Sequence, residues 1–266
     1  MGRALARALN PLTKDTMDPI STAVQALASA RQTGKAAAAI ALADAAAAYA
    51  VQDGVAQTLA WFGDAVPRHW KSGGPSRDVV LTHAPLPPAG VWASPAHAGD
   101  WPFQFRGIEA EIALRLGRDV DAALAATLDV AAATALVDAM CVSIELVDSR
   151  WAEGRDAPAL AKLADLQSHG ALVLSDWVPF VARDWAAQRC LVIIGTQPTT
   201  EHCGSHALAD PAFILPAWLR HATRHGRTVP AGTVVTTGTW CGLPIAAAGD
   251  RVVADFPGIG QAAVQL

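Results

Sequence analysis

The sequence predicts an α+β chain in which a helical N-terminal segment leads into a mostly β body. Three observations predict it: an alanine-rich stretch of helical periodicity over residues 18–62, strict alternation of apolar and polar residues through Phe103–Leu116, and a succession of short apolar runs separated by glycine and proline turns down to Leu266. At 266 residues and 52% apolar content, the chain is long enough to bury one large core. A net charge of −4 argues against a nucleic-acid partner. No uninterrupted apolar run approaches the ~18 residues of a membrane-spanning helix. The four cysteines, Cys141, Cys190, Cys203 and Cys241, are widely spaced without a CxxC pair, so they read as reduced thiols of a cytoplasmic protein. Residues 1–17 are expected to be a disordered or non-native extension, with Met17 a candidate start, and residues 18–266 a single catalytic domain.

The first helix opens at Asp18-Pro19, a cap followed by a first-turn proline, and Val24, Leu27, Ala28 and Arg31 begin its 3.6-residue period. Alanine propensity predicts a second helix from about Lys35 to Gln52 and a third over about Val55–Trp61. Between Gly63 and Trp101 prolines and glycines dominate, which predicts loops and short extended pieces of the functional kind. In Phe103–Leu116, Ile108, Ala110, Ile112 and Leu114 fall on one face of a strand and Glu109, Glu111, Ala113 and Arg115 on the other. A helix over Asp121–Asp138 follows, then a strand over Cys141–Val147 and short strands at Ala171–Leu174 and Cys190–Gly195. Asp210–His225 reads as an amphipathic helix stopped by Gly226. Strands at Thr233–Thr237, Arg251–Phe256 and Ala262–Leu266 close the chain.

Two carboxylates at period 2, Glu109 and Glu111, leave one strand face with their Cα atoms about 7 Å apart. They repel unless a cation lies between them, and oxygen-only ligation suits Mg²⁺ or Mn²⁺; a solvated strand face is the alternative. Glu145 sits inside an apolar run, where an ionised carboxylate must be paired or metal-bound. It is either a third oxygen ligand or half of an internal ion pair with Arg150. Lys71 lies between Trp70 and the glycine turn Gly73-Gly74, where it can pair with a substrate carboxylate or, if desolvated, lose its proton more readily; an ordinary surface lysine is the alternative. Thr236-Thr237-Gly238-Thr239 ends a strand with hydroxyls and a glycine, a form that holds anions. The cluster Glu201-His202-Cys203-Gly204-Ser205-His206 lacks the paired spacing of a metal site and reads as a polar loop, and Cys241 reads as packing.

Taken in order, these pieces resemble the fumarylacetoacetate hydrolase superfamily, and more narrowly its branch of 2-keto-4-pentenoate hydratases and 4-oxalocrotonate decarboxylases. The resemblance rests on Tyr49-Ala50-Val51-Gln52, Trp70-Lys71 with Gly73, Ile108 to Ala113, Glu145 to Arg150, Ala164-Asp165 with Ser168, Gly232 to Thr239, and Gly249-Asp250 through Asp255-Phe256 to Gly260. It implies a twisted mixed β-roll over residues 66–266, preceded by the helical segment 18–65. It further implies one Mg²⁺ or Mn²⁺ held by Glu109, Glu111 and Glu145, and a small 2-oxo acid substrate in a homo-oligomeric enzyme. The candidate catalytic residues are then Lys71, His83 and Ser168, and the candidate substrate contacts Ser72, Gly73, Arg150, Gly238 and Thr239. Two departures stand out. The loop Thr82–Ser94 lacks the acid usual in hydratases, leaving His83 as its only titratable group, and Leu166 replaces the asparagine of the ADN-x-S stretch. The implied activity is a metal-dependent lyase of short unsaturated 2-oxo acids from aromatic breakdown. A C–C hydrolase of acylpyruvates and a non-catalytic subunit are the alternatives.

Overall fold

The computed structural model describes residues 18–266; the expected extension over 1–17 lies outside the described residues. Helix α1 (Pro19–Thr33) begins as its sequence predicts, with the Asp18 carboxylate accepting from the backbone N–H groups of Ile20 and Ser21. It stops at Gly34, whose φ of 69° supplies the left-handed cap. The expected second helix from Lys35 does not form. Residues 35–44 run extended because tertiary bonds outcompete alanine propensity: Ala37 N–H donates to the Arg150 carbonyl, Ala152 N–H to that of Ala37, and Ala39 N–H to the Glu153 carboxylate. Asp44 then caps α2 (Ala45–Thr58), one helix where two were expected. It continues through Gly54, where a Cβ would stand 2.6 Å from Val24 of α1.

The proline- and glycine-rich stretch supplies β1 (His69–Gly73), β2 (Thr82–Pro85), β3 (Val91–Ala93) and β4 (Ala96–His97). The alternating segment is β5 (Gly107–Leu116). The helix expected over Asp121–Asp138 is two short ones, α3 (Ala122–Thr127) and α4 (Val130–Thr134), because Asp121 and Asp129 each cap a new start. There follow β6 (Val137–Val147), α5 (Ala159–Ala164), β7 (His169–Leu174), β8 (Val178–Pro179), β9 (Arg189–Ile194) and β10 (Thr200–Cys203). The amphipathic stretch after Asp210 is a 3₁₀ turn, Pro211–Ile214, leading into α6 (Leu215–Ala222). Strands β11 (Val234–Thr236), β12 (Arg251–Phe256) and β13 (Gly260–Gln265) end the chain.

Two sheets result. The larger has the order β2-β1-β11-β5-β6-β7-β3, with β8 also paired to β6; the smaller has the order β10-β9-β12-β13-β4. Both are mixed, since β1 pairs parallel with β11, β3 with β7, and β13 with β4. The main core lies where the smaller sheet packs against β6. Ile108, Ile112 and Leu114 of β5 and Val142, Ile144 and Leu146 of β6 meet Val192, Val252, Ala254 and Val264, with Trp218 and Leu219 of α6 closing one end. A second cluster joins α1, α2 and α5 around Trp151. The alternation of β5 therefore has a direct consequence: Ile108, Ala110, Ile112 and Leu114 enter the main core, and the glutamates leave on the opposite face, together with Ala113. No helix among the described residues is long and apolar enough to cross a membrane.

Candidate metal centre and active site

The antiparallel register of β5 and β6 sets Glu109 directly opposite Glu145 and Glu111 opposite Ser143. Directly opposed residues share a face, so three carboxylates converge from two adjacent strands. Ligand oxygens of Glu109, Glu111 and Glu145 all lie within 4.8 Å of one another. Glu111 and Glu145 are buried, and Glu109 is half-buried at the opening. Glu111 Oε2 is anchored by the Thr236 hydroxyl and by the backbone N–H of Gly238 at 2.9 Å. Thr236 is in turn within 2.9 Å of the Ser143 hydroxyl.

Lys71 enters from β1, which pairs with β11 beside this face. Its Nζ donates to Glu145 Oε1 at 2.7 Å and to the Gln167 carbonyl at 3.1 Å. Burial alone would lower the lysine's pKa; attraction to Glu145, then Glu109 and Glu111, outweighs it and holds the ammonium above its ordinary range. The same trade acts on Glu145: burial raises it, but Lys71 and a His169 Nδ1 contact at 2.9 Å keep it below the usual carboxylate value. Glu109 and Glu111 shift the other way. Burial pushes Glu109 well up; Lys71 opposes it, and repulsion from Glu145 and Glu111 adds to it. Burial and Glu145 push Glu111 up to about 7 against the Thr236 and Gly238 hydrogen bonds.

A divalent cation fits these residues on three observations. The donor set is oxygen only, as Mg²⁺ and Mn²⁺ require. Ionised together, the three carboxylates exceed the one ammonium by two negative charges, and burial with this repulsion holds Glu109 and Glu111 above the usual carboxylate range. Glu145 Oε2 is buried and has no hydrogen-bond partner among the described residues, an arrangement that is costly unless something else satisfies the oxygen. The glutamates thus belong to a built polar site, and the ion pair that Glu145 makes is with Lys71 and not with Arg150, the partner in the alternative reading.

The carboxylates open into a cavity of about 510 Å³, lined by Lys71, Ser72, Gly73, Glu109, Glu111, Gln167, His206 and the turn Thr236–Thr239. Of the sequence candidates, Lys71, Ser72, Gly73, Gly238, Thr239, Glu109 and Glu111 line it directly, and Glu145 joins through its carboxylate cluster. Three others do not. Arg150 lies beyond the end of β6, where its Nε donates to the Asp165 carboxylate at 2.8 Å, and it faces a different cavity. Ser168 is not on the lining. The chain passes through three successive left-handed residues, Leu166, Gln167 and Ser168, with φ of 52°, 56° and 60°, and this turn presents Gln167 to the cavity in its place. Such backbone is disfavoured by about 1–2 kcal/mol per residue away from glycine, and it brings the Gln167 carbonyl to Lys71.

His83 is the third. It pairs across the sheet with Ser72, and adjacent strand residues face opposite ways, so the partner of Ser72 lies behind β1 while Lys71 lies in front. Its Nδ1 is 2.8 Å from the Ser72 hydroxyl and its ring lies tilted against His221, with centroids 4.8 Å apart. Burial, with Arg224, lowers its pKa to about 3. Between pH 6.5 and about 3 the unfolded chain therefore binds a proton at this residue that the folded chain refuses, and folding stability falls as the pH falls through that window. His83→Gln is expected to flatten this acid sensitivity by up to ~1 kcal/mol per pH unit, read by urea unfolding at pH 7.5, 6 and 5. Equal slopes in both proteins would contradict the assignment of a neutral, buried imidazole.

Sequence reasoning misses His169 and Gln167, places Thr236 only in an anion-holding turn, and sets His206 aside. His206 belongs to the loop read as merely polar. It is buried on the cavity wall, where its Nε2–H donates to the Thr237 carbonyl at 2.9 Å and its Nδ1 has no partner among the described residues. Its signal was a histidine two residues from a glycine turn. His169 had one too, a histidine opening an apolar strand. Cys241, read as packing, accepts a weak bond from Ala110 N–H at 3.4 Å and is half-buried.

The family model for the fumarylacetoacetate (FAA) hydrolase C-terminal region matches residues 65–266. Among solved structures, a 4-oxalocrotonate decarboxylase from Pseudomonas putida G7 complexed with magnesium and adipate superposes with a TM-score of 0.78 at 16% identity, over 97% of this chain and 99% of that one. Its complex with calcium and acetate also gives 0.78 at 16% identity, over 94% and 98%. A fumarylpyruvate hydrolase from Pseudomonas aeruginosa in complex with Mn²⁺ and pyruvate gives 0.51 at 13% identity, over 76% and 89%. No curated protein matches the sequence.

Proposed function

Because the chain belongs to the fumarylacetoacetate hydrolase family, we propose that it is a lyase dependent on Mg²⁺ or Mn²⁺ that acts on short unsaturated 2-oxo acids. The observation that carries this reading is the convergence of Glu109, Glu111 and Glu145 beside an ammonium group at the floor of one cavity. The relative complexed with magnesium and adipate supports both the ion class and a carboxylate ligand.

Glu109, Glu111 and Glu145 would hold the ion, which when bound supplies Lewis acidity toward a 2-oxo acid. The protein's own groups do the rest. Lys71 carries a positive charge at the cavity floor, where it stabilises negative charge developing on the substrate and can deliver a proton from Nζ. The Gln167 carbonyl and Glu145 fix that ammonium so that little reorganisation is needed. Thr236 and Gly238 N–H hold Glu111 in place, while Thr239 and Gly73, which line the same cavity, orient the substrate carboxylate. His169 orients Glu145 from behind, as outer groups commonly do for metal-binding side chains.

The test mixes the purified protein with 2-hydroxypenta-2,4-dienoate or 4-oxalocrotonate, in Mg²⁺, Mn²⁺ or excess chelator. Dienol absorbance and CO₂ are followed together. The expected result is turnover of at least one substrate that the chelator abolishes, with CO₂ release separating decarboxylation from hydration. Turnover of neither, alongside metal-dependent cleavage of an acylpyruvate, would replace the lyase with a hydrolase.

A further inference from the structure

A second cavity of about 500 Å³ shares no lining residue with the first. We propose that it is a binding site for a flat aromatic carboxylate that carries a hydroxyl group. Three features of its lining define that class.

The walls are aromatic. Trp61, Trp101 and Phe103 line the cavity, and an aromatic ring presents to them the flat apolar face that such sites select. Arg31 and Arg150 supply the charge. Both line the cavity, and both lean on one carboxylate: Arg31 Nη2 donates to Asp165 Oδ1 at 2.9 Å, and Arg150 Nε to the same oxygen at 2.8 Å. Their forks are not used up. Arg31 Nε and Nη1 make no hydrogen bond among the described residues, and Arg150 Nη1 makes none either, standing 3.8 Å from Asp148 Oδ2. Asp148 also lines the cavity; its Oδ1 accepts from the backbone N–H groups of Gln104 and Phe105, and its Oδ2 faces Arg150 without a hydrogen bond to it. Two guanidinium groups with spare donors match the planar oxygens of a carboxylate.

The hydroxyl is called for by His169. Its Nδ1 faces the Glu145 carboxylate at 2.9 Å, so Nε2 is the ring nitrogen left for a further partner. That atom is buried without a partner among the described residues, on a residue 1% exposed that lines this cavity. A hydroxyl, which both donates and accepts, satisfies it. An aliphatic acid leaves the tryptophan walls unmatched, a neutral arene leaves the guanidinium donors free, and inorganic phosphate has no apolar face to offer.

The test is calorimetric titration of 4-hydroxybenzoate into the Mg²⁺-supplemented full-length protein. One site per chain is expected, with benzoate binding several-fold more weakly. Arg31→Gln and Trp101→Ala are each expected to weaken binding at least about tenfold, with melting temperatures reported alongside; Trp101→Ala decides the matter if loss of the Arg31–Asp165 pair disturbs the fold. Lys71→Met, in the catalytic cavity, is expected to leave the affinity within twofold. No saturable binding up to about 5 mM would overturn the proposal. So would an affinity indifferent to both cavity variants, or one lost in Lys71→Met, which would move the ligand to the catalytic cavity. These readouts are independent of turnover, so their failure is distinguishable from failure of the lyase reading.

Discussion

Glu145→Gln is expected to lower metal-dependent turnover by about 10³-fold or more while the fold persists. The amide is nearly isosteric and keeps an oxygen to accept from Lys71, so β6 and its partners lose no volume. What disappears is the charge. Glu145 is fully buried, lies opposite Glu109 in the sheet, and has one oxygen engaged by Lys71 and His169 and the other unpartnered. Without it, two carboxylates and one ammonium remain, a set that no longer calls for a divalent ion. The check pairs the turnover assay with the melting temperature in excess Mn²⁺. The wild-type protein should gain several degrees from the metal, because binding to the folded state alone stabilises it, and the variant should gain almost none. Full activity in Glu145→Gln would remove the residue from the ligand set.

Lys71→Met is expected to reduce kcat by about 10²–10⁴-fold, the range for loss of a positioned proton donor, while Mn²⁺ still binds. The two effects separate because Lys71 touches Glu145 through one oxygen only, at 2.7 Å, and none of the three carboxylates depends on it for its place in the strand. Without metal the variant should be the less stable protein, since a buried carboxylate stripped of its counter-charge costs about 3–5 kcal/mol; metal should restore most of the loss. A variant that retained kcat, or lost metal binding altogether, would show that the lysine serves the fold or the ion and not the reaction.

The parts of this site that were legible in the sequence are those governed by strand periodicity. Ile108, Ala110, Ile112 and Leu114 mark a buried face, so Glu109 and Glu111 had to share the other, and Glu145 within an apolar run had to be compensated. The illegible parts depend on pairing across long separations or on backbone that no residue type announces. Ser72 and His83 are cross-strand neighbours eleven residues apart, and only that register shows His83 to lie behind β1. The left-handed turn at Leu166–Ser168 contains no glycine, and the residue it delivers, Gln167, had no local signal. Residues 35–44 carry alanines that favour a helix, yet Arg150, Ala152 and Glu153 hold them extended from more than a hundred residues away.

The most direct measurement of the central claim is a Mn²⁺ titration followed by electron paramagnetic resonance, on the wild-type protein and on Glu109→Gln, Glu111→Gln and Glu145→Gln. The account predicts one tightly bound ion per chain in the wild type and at least about a hundredfold weaker binding in each variant, with circular dichroism unchanged. A wild-type chain that binds no Mn²⁺, or three variants that bind it as well as the wild type, would contradict the account.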